Sequence, residues 1–141
     1  MKKDFFNVAL ENAKIAYSTN EIPVGCVIVK DNEIIACGYN KKEINKNCLM
    51  HAELIAIQSA CSKLNDWRLD DCIMYVTLKP CLMCVGAIIE SRIKTVYYGT
   101  ETNNEQMYDV DKLSKYVTLI NLNSEEASSL MIDFFKNKRK Q

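Results

Sequence analysis

Histidine is almost absent from this chain: of 141 residues only His51 carries an imidazole, so any imidazole chemistry is confined to that position. Proline and glycine are scarce too, with 2 and 4 residues, and no linker, internal repeat or low-complexity tract divides the chain. A single domain over residues 1–141 is expected, long enough to bury a core without staples. Net charge is also lacking. The 18 Lys and Arg balance the 18 Asp and Glu, so the whole chain is no attractor for nucleic acid and any such attraction must be local. No segment approaches the ~20 apolar residues that span a bilayer. Asn7, Glu11 and Asn12 interrupt any signal-like apolar run after Lys2 and Lys3. The expectation is a cytoplasmic protein with no membrane partner.

Cysteine, by contrast, is abundant. Seven is an odd number and the spacings form no small secreted disulfide framework, which points to reduced thiols, some of them metal ligands. Cys26 and Cys37 fall inside apolar strand-like runs and read as small core residues.

Periodicity orders the rest. Phe6, Ala9, Leu10, Ala13, Ala16 and Tyr17 predict an amphipathic helix over residues 3–18. Residues 24–29 and 34–39 predict a hairpin turning at Asp31-Asn32. Residues 40–50 are polar and aperiodic and read as a loop. A helix over residues 51–64, apolar on most sides, is expected to be buried, and Asn65-Asp66 to close it. A strand over 72–78 follows, then a helix over 81–90 opened by Pro80, and a strand over 95–98 ended by Gly99. Residues 100–114 are polar and acidic and predict no element. A last strand over 117–121 precedes a helix whose start resembles a capping box, Asn123 with Glu126, and which ends in a basic tail. Alternating strands and helices suggest a layered α/β domain with helices covering a mixed sheet.

The chemistry gathers at His51-Ala52-Glu53 and Pro80-Cys81-Leu82-Met83-Cys84. Cys81 and Cys84 share one side of a helical turn. With His51 they offer one nitrogen and two sulfurs, donors that suit zinc. Both groups open a predicted helix, where partial positive charge favours thiolates. Three protein ligands leave the fourth position at which a catalytic zinc holds water, and Glu53 would move protons to and from it. H-x-E followed by P-C-x-x-C is the zinc-deaminase signature. Cys48 leaves a second reading open: with His51, Cys81 and Cys84 it would close a structural zinc site, making the chain a binding module without chemistry.

Several stretches resemble the bacterial tRNA-specific adenosine deaminases of the cytidine-deaminase-like superfamily. They are Glu21-Ile22-Pro23-Val24-Gly25, Gly38-Tyr39-Asn40, His51-Ala52-Glu53, Trp67-Arg68-Leu69, Tyr75-Val76-Thr77-Leu78 with Pro80-Cys81-Leu82-Met83-Cys84, Ser91-Arg92-Ile93 and Asp133-Phe134-Phe135. The resemblance implies a three-layer α/β/α domain on a mixed five-stranded sheet. It also implies one Zn2+ per subunit on His51, Cys81 and Cys84, with Glu53 as the catalytic proton shuttle. Asn40 and the backbone at Pro80 would contact substrate, and Lys136, Lys138, Arg139 and Lys140 would contact RNA. The implied protein is a homodimer that converts the wobble adenosine of a tRNA anticodon loop to inosine. The chain departs from the family pattern at residues 47–50, at Lys79 (usually Glu) and in the acidic loop over residues 100–106, so deamination of a free base or nucleoside is the alternative.

Overall fold

The computed structural model describes residues 2–102 and 107–139. Its elements run α1 (Lys2–Ser18), β1 (Gly25–Lys30), β2 (Glu33–Tyr39), α2 (Ala52–Leu64), β3 (Cys72–Leu78), α3 (Leu82–Glu90), β4 (Thr95–Thr100), β5 (Thr118–Asn121) and α4 (Glu125–Arg139). The strands form one sheet in the order β2-β1-β3-β4-β5. β1 is antiparallel to both β2 and β3, whereas β3, β4 and β5 are mutually parallel. The mixed five-stranded sheet is the expected one. Asp31 and Asn32, with φ of 50° and 66°, make the hairpin turn, as two-residue hairpins with positive φ at both central positions do.

Alternation along the strands divides the core into two faces. On one side Cys26, Ile28, Met74, Val76 and Val96 pack against Ala52, Ala56 and Ala60 of α2 and Ile88 of α3. On the other, Val27, Val29, Tyr75 and Tyr97 meet Phe6, Ala9 and Leu10 of α1 and Ala127 of α4. The result is a three-layer α/β/α domain. Among the described residues no helix is long and apolar enough to cross a membrane.

Several local expectations change in the fold. Cys26 is fully buried, but Cys37 is exposed, because β2 is an edge strand and its outer face lacks a full covering layer. The outer side of α2 is open, with Gln58 and Ser59 exposed and Leu54 and Ile55 half-buried. β4 continues through Gly99, pairing Thr100 with Leu78. A side chain at Gly99 would meet Phe6 and Ala127 at 2.5 and 2.9 Å, so glycine here lets two helices lie close rather than ending the strand. Asn123 does not cap α4; it has φ 52°, and Ser124 Oγ accepts the Ala127 amide at 3.1 Å in its place.

Strand polarity sets where the site forms. Tyr39 lies beside Gly25, Cys26 beside Val76, and Leu78 beside Thr100. The chain therefore leaves β2, β3 and β4 at the same edge of the sheet, the carboxyl ends where open α/β sheets bind ligands. The Gly25 amide donates to Thr77 Oγ1 at 3.1 Å and locks that edge.

Gly38 decides how closely α2 approaches. A Cβ there would lie 2.4 Å from the Ala52 carbonyl oxygen and 3.0 Å from the Ala56 amide nitrogen, both backbone atoms. Gly38→Ala is expected to push α2 from the sheet, costing about 1–3 kcal/mol as overpacking does. It should also displace the first turn of α2, which carries Glu53. Denaturant unfolding measures the first effect and activity at fixed folded fraction the second.

Candidate active site

His51 stands at the N-cap of α2 and Cys81 at the N-cap of α3, both with extended backbone. Pro80 therefore precedes the cap instead of occupying the first helical position. It still suits the place, because its ring fixes φ at a value compatible with the extended approach to the cap and it has no N–H to leave unpaired. Neither cap side chain bonds its own helix, so both are free to face one another. Cys81 Sγ lies 3.7 Å and Cys84 Sγ 3.5 Å from His51 Nδ1. The donor atoms of His51, Cys81 and Cys84 all lie within 4.8 Å of one another, a group that can hold a metal ion.

The protonation pattern suits metal ligands. Hydrogen bonds from Cys84 and His51 hold the Cys81 thiol down to about 4, so it is the readier thiolate. Sharing that hydrogen bond, together with burial, pushes Cys84 upward. Hydrogen bonding to Cys81 raises His51.

Glu53 follows on the first turn of α2 and is 4 % exposed. Burial raises its carboxyl from 4.5 to about 7, near the range in which a general acid–base group exchanges protons at neutral pH. Asn40, at the end of β2, is buried, and its Oδ1 accepts the Ala52 amide at 2.8 Å. It supplies the side-chain cap that His51 does not, and so couples β2 to the start of α2.

These residues open on a cleft of about 340 Å³ lined by Ile22, Val24, Leu78 and Met107 as apolar walls, with Asn40, Lys42, His51, Glu53, Lys79 and Cys81 as its polar groups. A mostly apolar hollow with a few convergent polar groups is the form of a small-molecule or base pocket. Cys48 is exposed and, among the described residues, stands outside the donor group. The closed four-ligand arrangement is not formed.

Sequence reasoning did not reach the roles of three residues. The Tyr108 hydroxyl donates to the Pro80 carbonyl at 2.6 Å, and burial raises its pKa; an aromatic in an otherwise polar stretch was its only signal. Lys79 Nζ lies 3.4 Å from Glu101 Oε2, with the Lys79 side chain 11 % exposed. The unusual lysine and one acid of the following loop thus offset each other. Glu21 is a buried carboxylate, which nothing in its neighbours indicates. The expected RNA contacts Lys136 and Lys138 are exposed on the last turns of α4. Arg139 ends that helix, its side chain and Lys140 lying outside the described residues. Residues 103–106 of the acidic loop lie outside them as well.

Fold and donor set together define a class: a cytidine-deaminase-like domain with a site able to hold a metal ion at the carboxyl edge of its sheet. The MafB19-like deaminase family model matches residues 1–139. A tRNA-specific adenosine deaminase of Aquifex aeolicus (strain VF5) is 40 % identical over 145 residues, covering 98 % of this chain and 96 % of the relative. A solved structure from a study of A-to-I editing by tRNA:A34 deaminases at the wobble position superposes with a TM-score of 0.83 at 31 % identity, over 91 % of this chain and 99 % of that one. Guanine deaminase from Bacillus subtilis aligns at 42 % identity and a TM-score of 0.67, over 70 % of this chain and 64 % of that one. The chain belongs to the deaminase family that includes the tRNA-specific adenosine deaminases.

Proposed function

We propose that this protein is a zinc-dependent hydrolytic deaminase, a single cytoplasmic domain acting as a homodimer, that converts the wobble adenosine of a tRNA anticodon to inosine. The observation that carries the reading is the buried carboxylate of Glu53 beside three convergent N, S, S donors, with Glu53, His51 and Cys81 lining one cleft. Near full-length similarity to tRNA-specific adenosine deaminases supports the substrate. One nitrogen and two sulfurs, one thiol already inclined to ionise, fit zinc. His51, Cys81 and Cys84 would hold it, and bound zinc would supply Lewis acidity to the cleft that His51 and Cys81 line.

The chain's own residues do the rest. Glu53 takes a proton from the attacking water and returns it to the departing amino group, so adenosine and water become inosine and ammonia. Asn40 has its carbonyl oxygen committed to Ala52, which fixes the orientation of its amide nitrogen for the target nucleotide. Pro80 presents its backbone beside Cys81, steadied by Tyr108. The apolar walls surround a base turned out of its loop, as enzymes acting on nucleobases require.

The test is inosine formation at the wobble position of an arginine tRNA with an ACG anticodon, using zinc-loaded protein at low salt. Inosine is expected. Its absence would move the reading to a free base or nucleoside, which the neutral net charge and the likeness to guanine deaminase favour.

The basic tail gives a further prediction. Replacing Lys136, Lys138, Arg139 and Lys140 with Gln should weaken tRNA binding and flatten the log–log salt dependence by up to about 3, at roughly 0.7 per phosphate contact on a single strand. Substitution is preferable to truncation, because Asn137 Nδ2 donates to Tyr17 Oη at 2.7 Å and helps dock α4 on α1. A slope unchanged by the four substitutions would remove the tail from the RNA interface.

A further inference from the structure

Glu21 is 2 % exposed, and among the described residues no ion pair reaches it. Its carboxylate instead accepts two backbone amides, Oε1 from Glu43 at 3.1 Å and Oε2 from Ile44 at 2.8 Å. A buried charge is stable only when so satisfied, and charge-assisted bonds of this kind are the stronger ones. Both amides lie in the loop that runs from Asn40 to His51. That loop is closed at its neck by Lys41 N–H to the Met50 carbonyl at 3.0 Å, and it opens with a turn in which the Asn45 amide donates to the Lys41 carbonyl at 3.0 Å. Amides at the start of such a turn have no partner within it. Glu21 provides one, and is itself anchored by its own amide on the Ala16 carbonyl at the end of α1, at 2.9 Å.

The contact governs where Lys42 stands. Lys42 lines the catalytic cleft. It also lines a second hollow of about 140 Å³ that shares Ile22, Asn40 and Phe135 with the first and has Glu21 in its wall. Its ammonium makes no ion pair among the described residues. A cation at the boundary of two adjoining hollows fits the phosphate that joins two successive nucleotides, one base to each side. Because Glu21 holds the residues immediately after Lys42, it decides whether that cation is already in place before substrate arrives.

We propose that Glu21 is a positioning residue of the deaminase: its buried carboxylate holds residues 41–50 so that Lys42 meets the phosphate beside the target nucleotide. The inference rests on the nucleic-acid reading above. Glu21 lines only the second hollow and reaches neither the target nucleotide's cleft nor the donor group; it acts through the loop and Lys42.

The test uses zinc-loaded full-length protein and an anticodon stem-loop. Glu21→Gln retains size but offers one acceptor where two are needed, and should raise KM about tenfold, the scale of one lost charge-assisted bond, with kcat and zinc content unchanged. Glu21→Asp keeps the charge but is one methylene too short for both amides, and should give the same KM-only change even if the Gln variant does not fold. Combined with Lys42→Gln, the KM effects should be strongly sub-additive, as expected when one residue acts through the other. An unchanged KM, a fall in kcat without a change in KM, or additive effects would overturn the proposal. Inactivity of the wild type on the stem-loop would count against the nucleic-acid reading and, with it, the phosphate contact. Amide exchange then separates the two: faster exchange at Glu43 and Ile44 in the Asp variant upholds the loop-holding role, and unchanged exchange rejects it.

Discussion

Glu53→Ala is expected to abolish inosine formation while the protein keeps its zinc. The carboxylate serves both halves of the proposed reaction, taking the proton of the attacking water and giving one to the departing amine. General acid–base groups contribute about 10²–10⁴-fold to rate, and a residue used twice belongs at the upper end. The loss should appear in kcat, since Glu53 is one of several groups lining the cleft and its removal leaves the other lining side chains in place to bind substrate. Glu53→Gln is the more stringent variant, because it preserves volume and removes only the titration. Burial that raises the Glu53 carboxyl to about 7 also makes the neutral Gln a good fit, so no loss of folded protein is expected. The measurement pairs single-turnover deamination with metal analysis of the same sample. Retained turnover in either variant would sink the proposed proton shuttle, and loss of zinc along with activity would make Glu53 a support of the metal instead.

Cys84→Ala should remove activity by the other route, through the metal. Cys84 is fully buried on the first turn of α3 with its sulfur 3.5 Å from His51 Nδ1. Removing it leaves one nitrogen and one sulfur, too few protein donors for a catalytic zinc site, which ordinarily keeps three. Metal content and turnover are expected to fall together, by about 100-fold or more in affinity, since even outer-shell changes cost 10–100-fold. Metal binding to the folded chain also adds to folding free energy, so the variant should unfold at lower temperature than the zinc-loaded wild type and at nearly the same temperature as the chelated one. That comparison separates loss of the metal from loss of packing. Cys48→Ala is the contrasting variant: Cys48 is exposed and stands outside the donor group, so it should keep both metal and activity. Loss of metal from Cys48→Ala would restore the closed structural site as the better description.

The departures near the site take on a different meaning in the fold. Lys79 and the acidic loop each depart from the family pattern in isolation, yet the ammonium of Lys79 sits 3.4 Å from Glu101 and 5.7 Å from the Tyr108 ring centroid. Part of the loop's negative charge is answered within the protein. An anionic segment beside a phosphate backbone is less costly when one of its acids is already paired.

The sequence alone determined the element types, the donor chemistry and the family, because each is written in local patterns. Helical and strand periods show in ten or so residues, and strand β3 falls at residues 72–78 as expected. C-x-x-C places two thiols on one turn whatever surrounds it, and a single histidine leaves no choice of imidazole. Helix boundaries next to Pro80 and Asn123 were legible only to within a residue or two, since a cap depends on backbone angles that neighbouring residues of similar type can both supply. Tertiary structure decided what lies far apart in the chain. His51 and Cys81, 30 residues apart, meet because β1 pairs antiparallel with β2 and β3 and brings the starts of α2 and α3 to one edge. The exposure of Cys37, the commitment of Asn40 to Ala52, the Tyr108 bond to Pro80 and the burial of Glu21 follow from strand order and helix packing. No run of ten or so residues contains both partners of those contacts, and the energy of a buried charge or an edge strand is set by the partners it finds.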